Sequence, residues 1–199
     1  MKIIVIGASG TVGRAVVEEL GARHEILTVG RSGGQVQADI TKIDSVRAMF
    51  DKIGKADAVV VAAGSLHFGP LAEVTPEQLN IGLQDKLMGQ VNVALVAQHH
   101  LNDGGSITLT SGIVAEQPIR YGVDASMVNA AVEGFVRGAA IELQRGLRIN
   151  VVSPNVLQES MEAYGPYFLG FEAVPAARVA KAYARSVDGL QTGQIYKVF

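Results

Sequence analysis

The sequence predicts a doubly wound α/β fold, a parallel sheet of about seven strands with helices on both faces. Three observations carry that expectation. The apolar, β-branched run Lys2-Ile3-Ile4-Val5-Ile6 passes directly into Gly7-Ala8-Ser9-Gly10-Thr11-Val12-Gly13, and a helical pattern follows. Apolar runs then alternate with helical patterns to the last residue, as they do in chains of β-α-β units. Hydrophobic residues make up 48% of the 199 residues and charged residues 18%, which excludes disorder and suits strands buried on both faces.

The elements follow in order. Val12, Ala15, Val16 and Leu20 fall at helical spacing behind the glycine turn. Residues 25–29 read as a second strand, 35–39 as a short third, 43–53 as a helix and 58–62 as a buried fourth strand. Pro76, suited to the first turn of a helix, opens a long helix that runs to about residue 101. Residues 106–110 form a fifth strand, 125–143 a helix and 148–152 a sixth strand. A segment punctuated by glycine and proline, 153–175, forms a loop or lid on the substrate side. A helix over 176–186 and a strand over 194–198 close the pattern. No linker, repeat or low-complexity tract divides the chain, so residues 1–199 form one domain.

Composition narrows the function. A net charge of −2 favours neither nucleic acid nor an anionic membrane as partner. The absence of cysteine removes disulfides, thiol chemistry and cysteine metal sites, and no histidine–carboxylate spacing suggests a metal. The first apolar run is too short for a signal peptide and no stretch approaches a membrane span, so a cytoplasmic chain is expected.

Strand, glycine turn and helix in that order make a dinucleotide cradle. Gly7, Ser9, Gly10, Thr11, Val12 and Gly13 supply the tight turn, the backbone approach to a pyrophosphate and the close helix packing. Where an acidic residue at the end of the second strand would hold an adenosine ribose, Arg31 and Ser32 stand instead. A guanidinium there suits a 2′-phosphate and hence NADP(H), although a solvated surface arginine is the plain alternative. Asp39 and Ile40 are candidate adenine contacts. Ala62, Ala63 and Gly64 are small enough to let the cofactor lie close. Each of these is equally readable as an ordinary strand end.

At this point the chain resembles the short-chain dehydrogenase/reductase superfamily, whose fold is of the Rossmann type, and the likeness runs from end to end. Arg148-Ile149-Asn150-Val151-Val152-Ser153-Pro154 resembles that family's "IRVNxVSPG", which adds Pro154 to the cofactor contacts. Thr192-Gly193-Gln194 resembles its "TGQ", and Ala130-Ala131-Val132-Glu133-Gly134-Phe135 the helix segment after its catalytic lysine. The glycine spacing is closer to the extended and atypical members. The catalytic half departs from the family's Asn, Ser, Tyr and Lys. In register, Asn129 holds the lysine position, Ala125 the tyrosine, Gly112 the serine (with Ser111 just before it) and Lys86 the asparagine. Alanine supplies no proton, so the usual mechanism does not carry over.

The apparent exchange of Lys86 and Asn129 suggests that Lys86 restores a cation beside the nicotinamide ribose, hydrogen-bonded to Asn129; an exposed helix lysine is the alternative. A partly desolvated lysine also exchanges protons more readily. Ser111 and Tyr121 join Lys86 and Asn129 as candidate catalytic groups, with His67 and Tyr164 as further proton donors. The aromatic cluster of Tyr164, Tyr167, Phe168 and Phe171 serves either the lid or recognition. His99 and His100 look structural. The resemblance implies a homo-oligomer, dimer or tetramer, packed through the long helices that carry Gly82, Gly89, Gly134 and Gly138. Two functions remain open: an NADP(H)-dependent oxidoreductase acting on a small carbonyl or alcohol through a non-standard site, or a noncatalytic NADP(H)-binding sensor.

Overall fold

A computed structural model describes all of residues 1–199. Seven strands form one sheet, β1 (Lys2–Ile6), β2 (Glu25–Gly30), β3 (Val36–Gln37), β4 (Ala56–Val61), β5 (Leu101–Thr110), β6 (Arg148–Pro154) and β7 (Ile195–Val198). Every pairing is parallel and the order is β3-β2-β1-β4-β5-β6-β7. The chain leaves β1 toward one edge and returns at β4 on its other side. That switch point opens a crevice at the carboxyl ends of β1 and β4, where ligands of such sheets bind.

Alternation along each strand feeds two cores. Ile4, Ile6, Val59, Val61, Ile107, Leu109, Ile149 and Val151 face α2 (Ile43–Ile53), α4 (Gly89–His100) and α5 (Val123–Ala140). Ile3, Val5, Ala58, Val60 and Val152 face α1 (Thr11–Gly21) and α7 (Ala176–Asp188). Strands covered on both sides need the continuous apolar runs that the sequence carries. Two polar side chains of β5 on the α7 face are paired: the hydroxyls of Thr108 and Ser186 lie 2.7 Å apart, and those of Thr110 and Tyr183 2.6 Å. No helix is long and apolar enough to cross a membrane.

Several boundaries differ from expectation. The third strand shrinks to Val36–Gln37, although Gln35 and Ala38 on its flanks still donate backbone N–H bonds to Thr28 and Gly30 of β2. The Gln35 side chain accepts the Thr28 N–H at 2.9 Å, and Asp39 accepts from the Thr41 hydroxyl at 2.7 Å. The long helix from Pro76 is three pieces: α3 (Pro76–Gly82), a π turn (Leu83–Met88) and α4. Thr75 and Gln78 form a reciprocal capping box at its start. Buried Gln90 ties the wide turn to β5, donating 2.9 Å bonds to the carbonyls of both Lys86 and Thr110 while accepting the Thr110 N–H at 2.7 Å. Such turns cluster at functional sites. The fifth strand begins early, pairing Leu101 with Ala56 before a register shift brings Ser106 opposite Ala58. The segment after β6 holds only short turns and the four-residue helix α6 (Met161–Tyr164).

Candidate functional site

The carboxyl ends of β4, β5 and β6, the start of α1 and one wall of α5 enclose a cavity of about 590 Å³. At one end lies the glycine turn. Gly7 has φ +83°, and a Cβ on Gly13 would overlap the Gly7 carbonyl oxygen, so α1 approaches β1 closely only because both lack side chains. Gly10 precedes α1 without a capping side chain, and no acidic residue stands in the first turn. The positive end of the helix therefore meets the cavity uncompensated. Gly10, Thr11, Val12, Ala62, Ala63, Gly64 and Pro154 all line the wall; Gly7, Ser9 and Gly13 build the turn behind it.

Arg31 and Ser32 are exposed just past β2. The Arg31 guanidinium reaches Asp85 at 3.1 Å and Asp39 at 3.9 Å. Asp39 is committed locally. Bonds from the Thr41 hydroxyl and N–H, helped by Arg31 and Lys42, hold its carboxyl below the usual range. Ile40 is buried, packs on Gly89, and its carbonyl accepts the Asn92 amide at 3.0 Å. Asp39 remains partly exposed beside Arg31, Ile40 is buried, and neither lines this cavity.

At the other end, Lys86 projects from the π turn and is the only charged side chain on the cavity wall. Its stem passes over Gly64, where φ is +141° and a Cβ would come within 2.8 Å of Lys86 Cβ. The amine donates to the Ser111 carbonyl at 3.3 Å. Burial pulls Lys86 down to about 8, with the negative charge of Asp124 acting in the opposite direction. Asn129 also lines the cavity, 2% exposed, but its Oδ1 has no protein partner. The expected Lys86–Asn129 bond is therefore replaced by the bond to Ser111, and both side chains keep bonding capacity toward the cavity.

Ser111 is buried beside them, yet its hydroxyl donates to Glu133 at 2.9 Å and is not free to orient a substrate. Tyr121 lies outside this cavity. Its backbone is left-handed, at φ +67°, and its ring sits against the Arg120 guanidinium and edge-on to Tyr167. His67 also stays off the wall; its backbone N–H donates to Asp124 at 2.8 Å and its ring packs on Gly69. Tyr164 and Phe168, from the segment after β6, reach the cavity wall. Three buried polar residues escaped sequence reasoning: Gln90, Asp124 and Glu133. Glu133 follows Asn129 by one helical turn, a spacing that could have placed it on the same face.

The anticipated small residues of the long helices divide by role. Gly82 faces the Asp124 carboxylate and Gly89 faces Ile40, whereas Gly134 and Gly138 open onto empty space.

A family model described as enoyl-(acyl carrier protein) reductase matches residues 5–187. Versicolorin reductase 1 of Dothistroma septosporum is 31% identical over 156 residues, 75% of this chain and 59% of that protein. Hydroxynaphthalene reductase arp2 of Aspergillus fumigatus is 30% identical over 141 residues, 68% of this chain and 52% of that protein. The chain thus spans a little over half the length of these curated relatives. Among solved structures, the protein lin1944 from Listeria innocua is 52% identical, with TM-score 0.99 and complete coverage of both chains. A small-chain dehydrogenase in complex with NADPH is 25% identical with TM-score 0.88, covering 100% of this chain and 96% of its own. The chain belongs to the short-chain dehydrogenase/reductase superfamily.

Proposed function

We propose, from that membership, that the chain is an NADP(H)-dependent oxidoreductase that reduces a small carbonyl, or oxidises the corresponding alcohol, at a reorganised site. The observation that carries this is the single cavity joining the glycine turn to Lys86 and Asn129. The residues fit a dinucleotide. The glycine turn leaves room where a Cβ would intrude, and the uncapped start of α1 suits a pyrophosphate. Arg31, exposed at the end of β2, is the group for a 2′-phosphate, with Asp85 and Asp39 steadying its guanidinium. The Lys86 amine and the unpartnered Asn129 carbonyl offer one donor and one acceptor to the hydroxyls of a ribose. The NADPH complex of a similar fold and the reductase names of the relatives support the same class.

When bound, the cofactor supplies or accepts hydride. The chain's residues bind it, exclude water with the lid aromatics and place a cation where charge changes. Ser111 acts here through its backbone carbonyl, which holds Lys86, and Glu133 fixes Ser111. The exposed glycines of α5 support a homo-oligomer, and the chain's charge and composition a cytoplasmic one.

One observation favours a noncatalytic NADP(H) sensor instead: Ala125 stands on the wall where a phenol would donate, and the Ser111 hydroxyl is occupied. NADPH consumption measured with a panel of neutral aldehydes and ketones separates the two. Turnover that falls by about 10²-fold in Lys86→Met supports the enzyme. Tight NADPH binding with no turnover on any of them supports the sensor, and absence of NADPH binding overturns both.

A further inference from the structure

We propose that the substrate of this site is an uncharged quinone, held in the half of the cavity beyond Gly64 and protonated by Lys86. The inference deepens the function proposed above and rests on it. Two observations carry it: the lining of that half, and the donors it lacks.

Past Gly64 the wall is one apolar cluster. Ile113, Val114 and Ala125 are buried, and Leu66, Phe68 and Phe168 pack against them. The rings are set at angles to one another. Phe68 lies 6.0 Å from Tyr164 with planes tilted by 54°, and Phe168 stands edge-on to Phe171 at 5.4 Å. Such edges and faces suit a flat ring placed against them. Asn155 is polar, but both ends of its amide are engaged, with the Glu172 carbonyl and the Val156 N–H. Lys86, over Gly64, is the one charge on the whole wall. A charged substrate would shed its water here with only the ribose-facing amine to answer it, whereas a neutral ring loses little.

Acid chemistry narrows the class further. Gly112 and Ala125 bring no hydroxyl to the wall, and Ser111 gives its own to Glu133. The Thr110 hydroxyl is taken by the Val61 carbonyl and Tyr183. Ser65 and Tyr164 are exposed and Ser160 is half-buried in a short turn, so none of the three is a positioned acid. Lys86 remains, its amine 3.3 Å from the Ser111 carbonyl with two further N–H bonds to give. Hydride added to an isolated ketone leaves an alkoxide, a base of the strength of hydroxide, the conjugate of water at about 16. Net addition to a quinone differs. One O–H bond forms, both C=O π bonds break, the ring becomes aromatic, and the electron pair rests on the second oxygen as a phenolate. A phenol and a lysine both titrate at about 10. The Lys86 ammonium therefore passes a proton to that oxygen, completing the hydroquinone, and the amine recovers one from water.

Saturation-transfer NMR with NADP+ present reads binding without turnover. Menadione, an uncharged bicyclic quinone, should bind, and the chain has no cysteine to add to it. Phe168→Asp should weaken it by about tenfold or more; Leu66→Asp reads the same half if that variant does not fold. The anion 2-naphthoate should bind at least about tenfold more weakly than menadione. Tighter binding of 2-naphthoate, or menadione binding that neither substitution weakens, overturns the inference.

Anaerobic NADPH oxidation, corrected for the rate without protein, supplies the second readout. kcat/KM should be at least about 10²-fold larger for menadione than for 1-tetralone, a ketone on a similar bicyclic skeleton. Equal turnover of 1-tetralone retains the proposed function and overturns the quinone. Menadione bound beside NADPH but not reduced also overturns it. Menadione binding without any NADPH binding supports the aromatic subsite and overturns the proposed function.

Discussion

Around the glycine turn, the site is shaped by side chains that are missing; around Lys86, it is shaped by polar side chains brought together from distant elements. The first region is local. Gly7 and Gly13 allow a helix to press against a strand, and what remains is backbone dipole aimed at the cavity. The second region is assembled from afar. Lys86 of the π turn rests on the carbonyl of Ser111 just past β5, and Asn129 of α5 stands on the same wall. One end needs space and the other holds a desolvated amine, so substitutions should affect them through different observables.

The largest effect should come from the glycine end. Gly13→Ala places a Cβ on the Gly7 carbonyl oxygen, a rigid backbone atom. It should cost about 1–3 kcal/mol in denaturant unfolding and abolish NADPH binding in the same protein. Binding at wild-type affinity would show that the turn does not hold the dinucleotide. Next is Ser111→Ala, which strips the 2.9 Å bond from buried Glu133. A loss of about 1–3 kcal/mol is expected, with NADPH affinity kept because the carbonyl under Lys86 remains.

The pH response of stability should be smaller and confined to the Lys86 end. Lys86 has a folded value of about 8 against the 10.5 of an ordinary solvated lysine. Between those values the folded chain binds fewer protons at this residue than the unfolded chain, so its contribution to stability rises with pH there and is flat below. The stability of the wild type minus that of Lys86→Met should increase across that window in denaturant titrations. A difference independent of pH would mean that the amine is not desolvated. The smallest effect should follow Tyr121→Phe, within about 0.5 kcal/mol and without change in NADPH binding, since its ring lies outside the cavity. A substantial loss of binding or turnover would place the phenol in the site after all.

The same contrast governs what the sequence reveals. The strands, the glycine turn and the sheet class are legible because β-branched runs and glycine spacing are local signals, each confined to a few neighbouring residues. Lys86 and Asn129 are legible as positions, by register, but their partners are not. The exchange of bonding from Asn129 to the Ser111 carbonyl depends on how the π turn aims the amine, and nothing in helical periodicity marks that turn. Asp124 reads as an ordinary acidic residue in a first helical turn. Its burial arises only when Gly82 and the His67 loop close over it. Asp39 shows the local counterpart, since Thr41, two residues away, donates to a carboxylate that looks free at a strand end.

The central claim is that the cavity is an NADP(H) site, and thermal unfolding with NADPH and NADH in parallel tests it most directly. A ligand at a hundred times its dissociation constant adds about 2.7 kcal/mol, which for a chain of this size raises the midpoint by roughly 5–10 °C. NADPH should produce that rise and NADH little or none. No rise with either dinucleotide, or a larger rise with NADH, would contradict it.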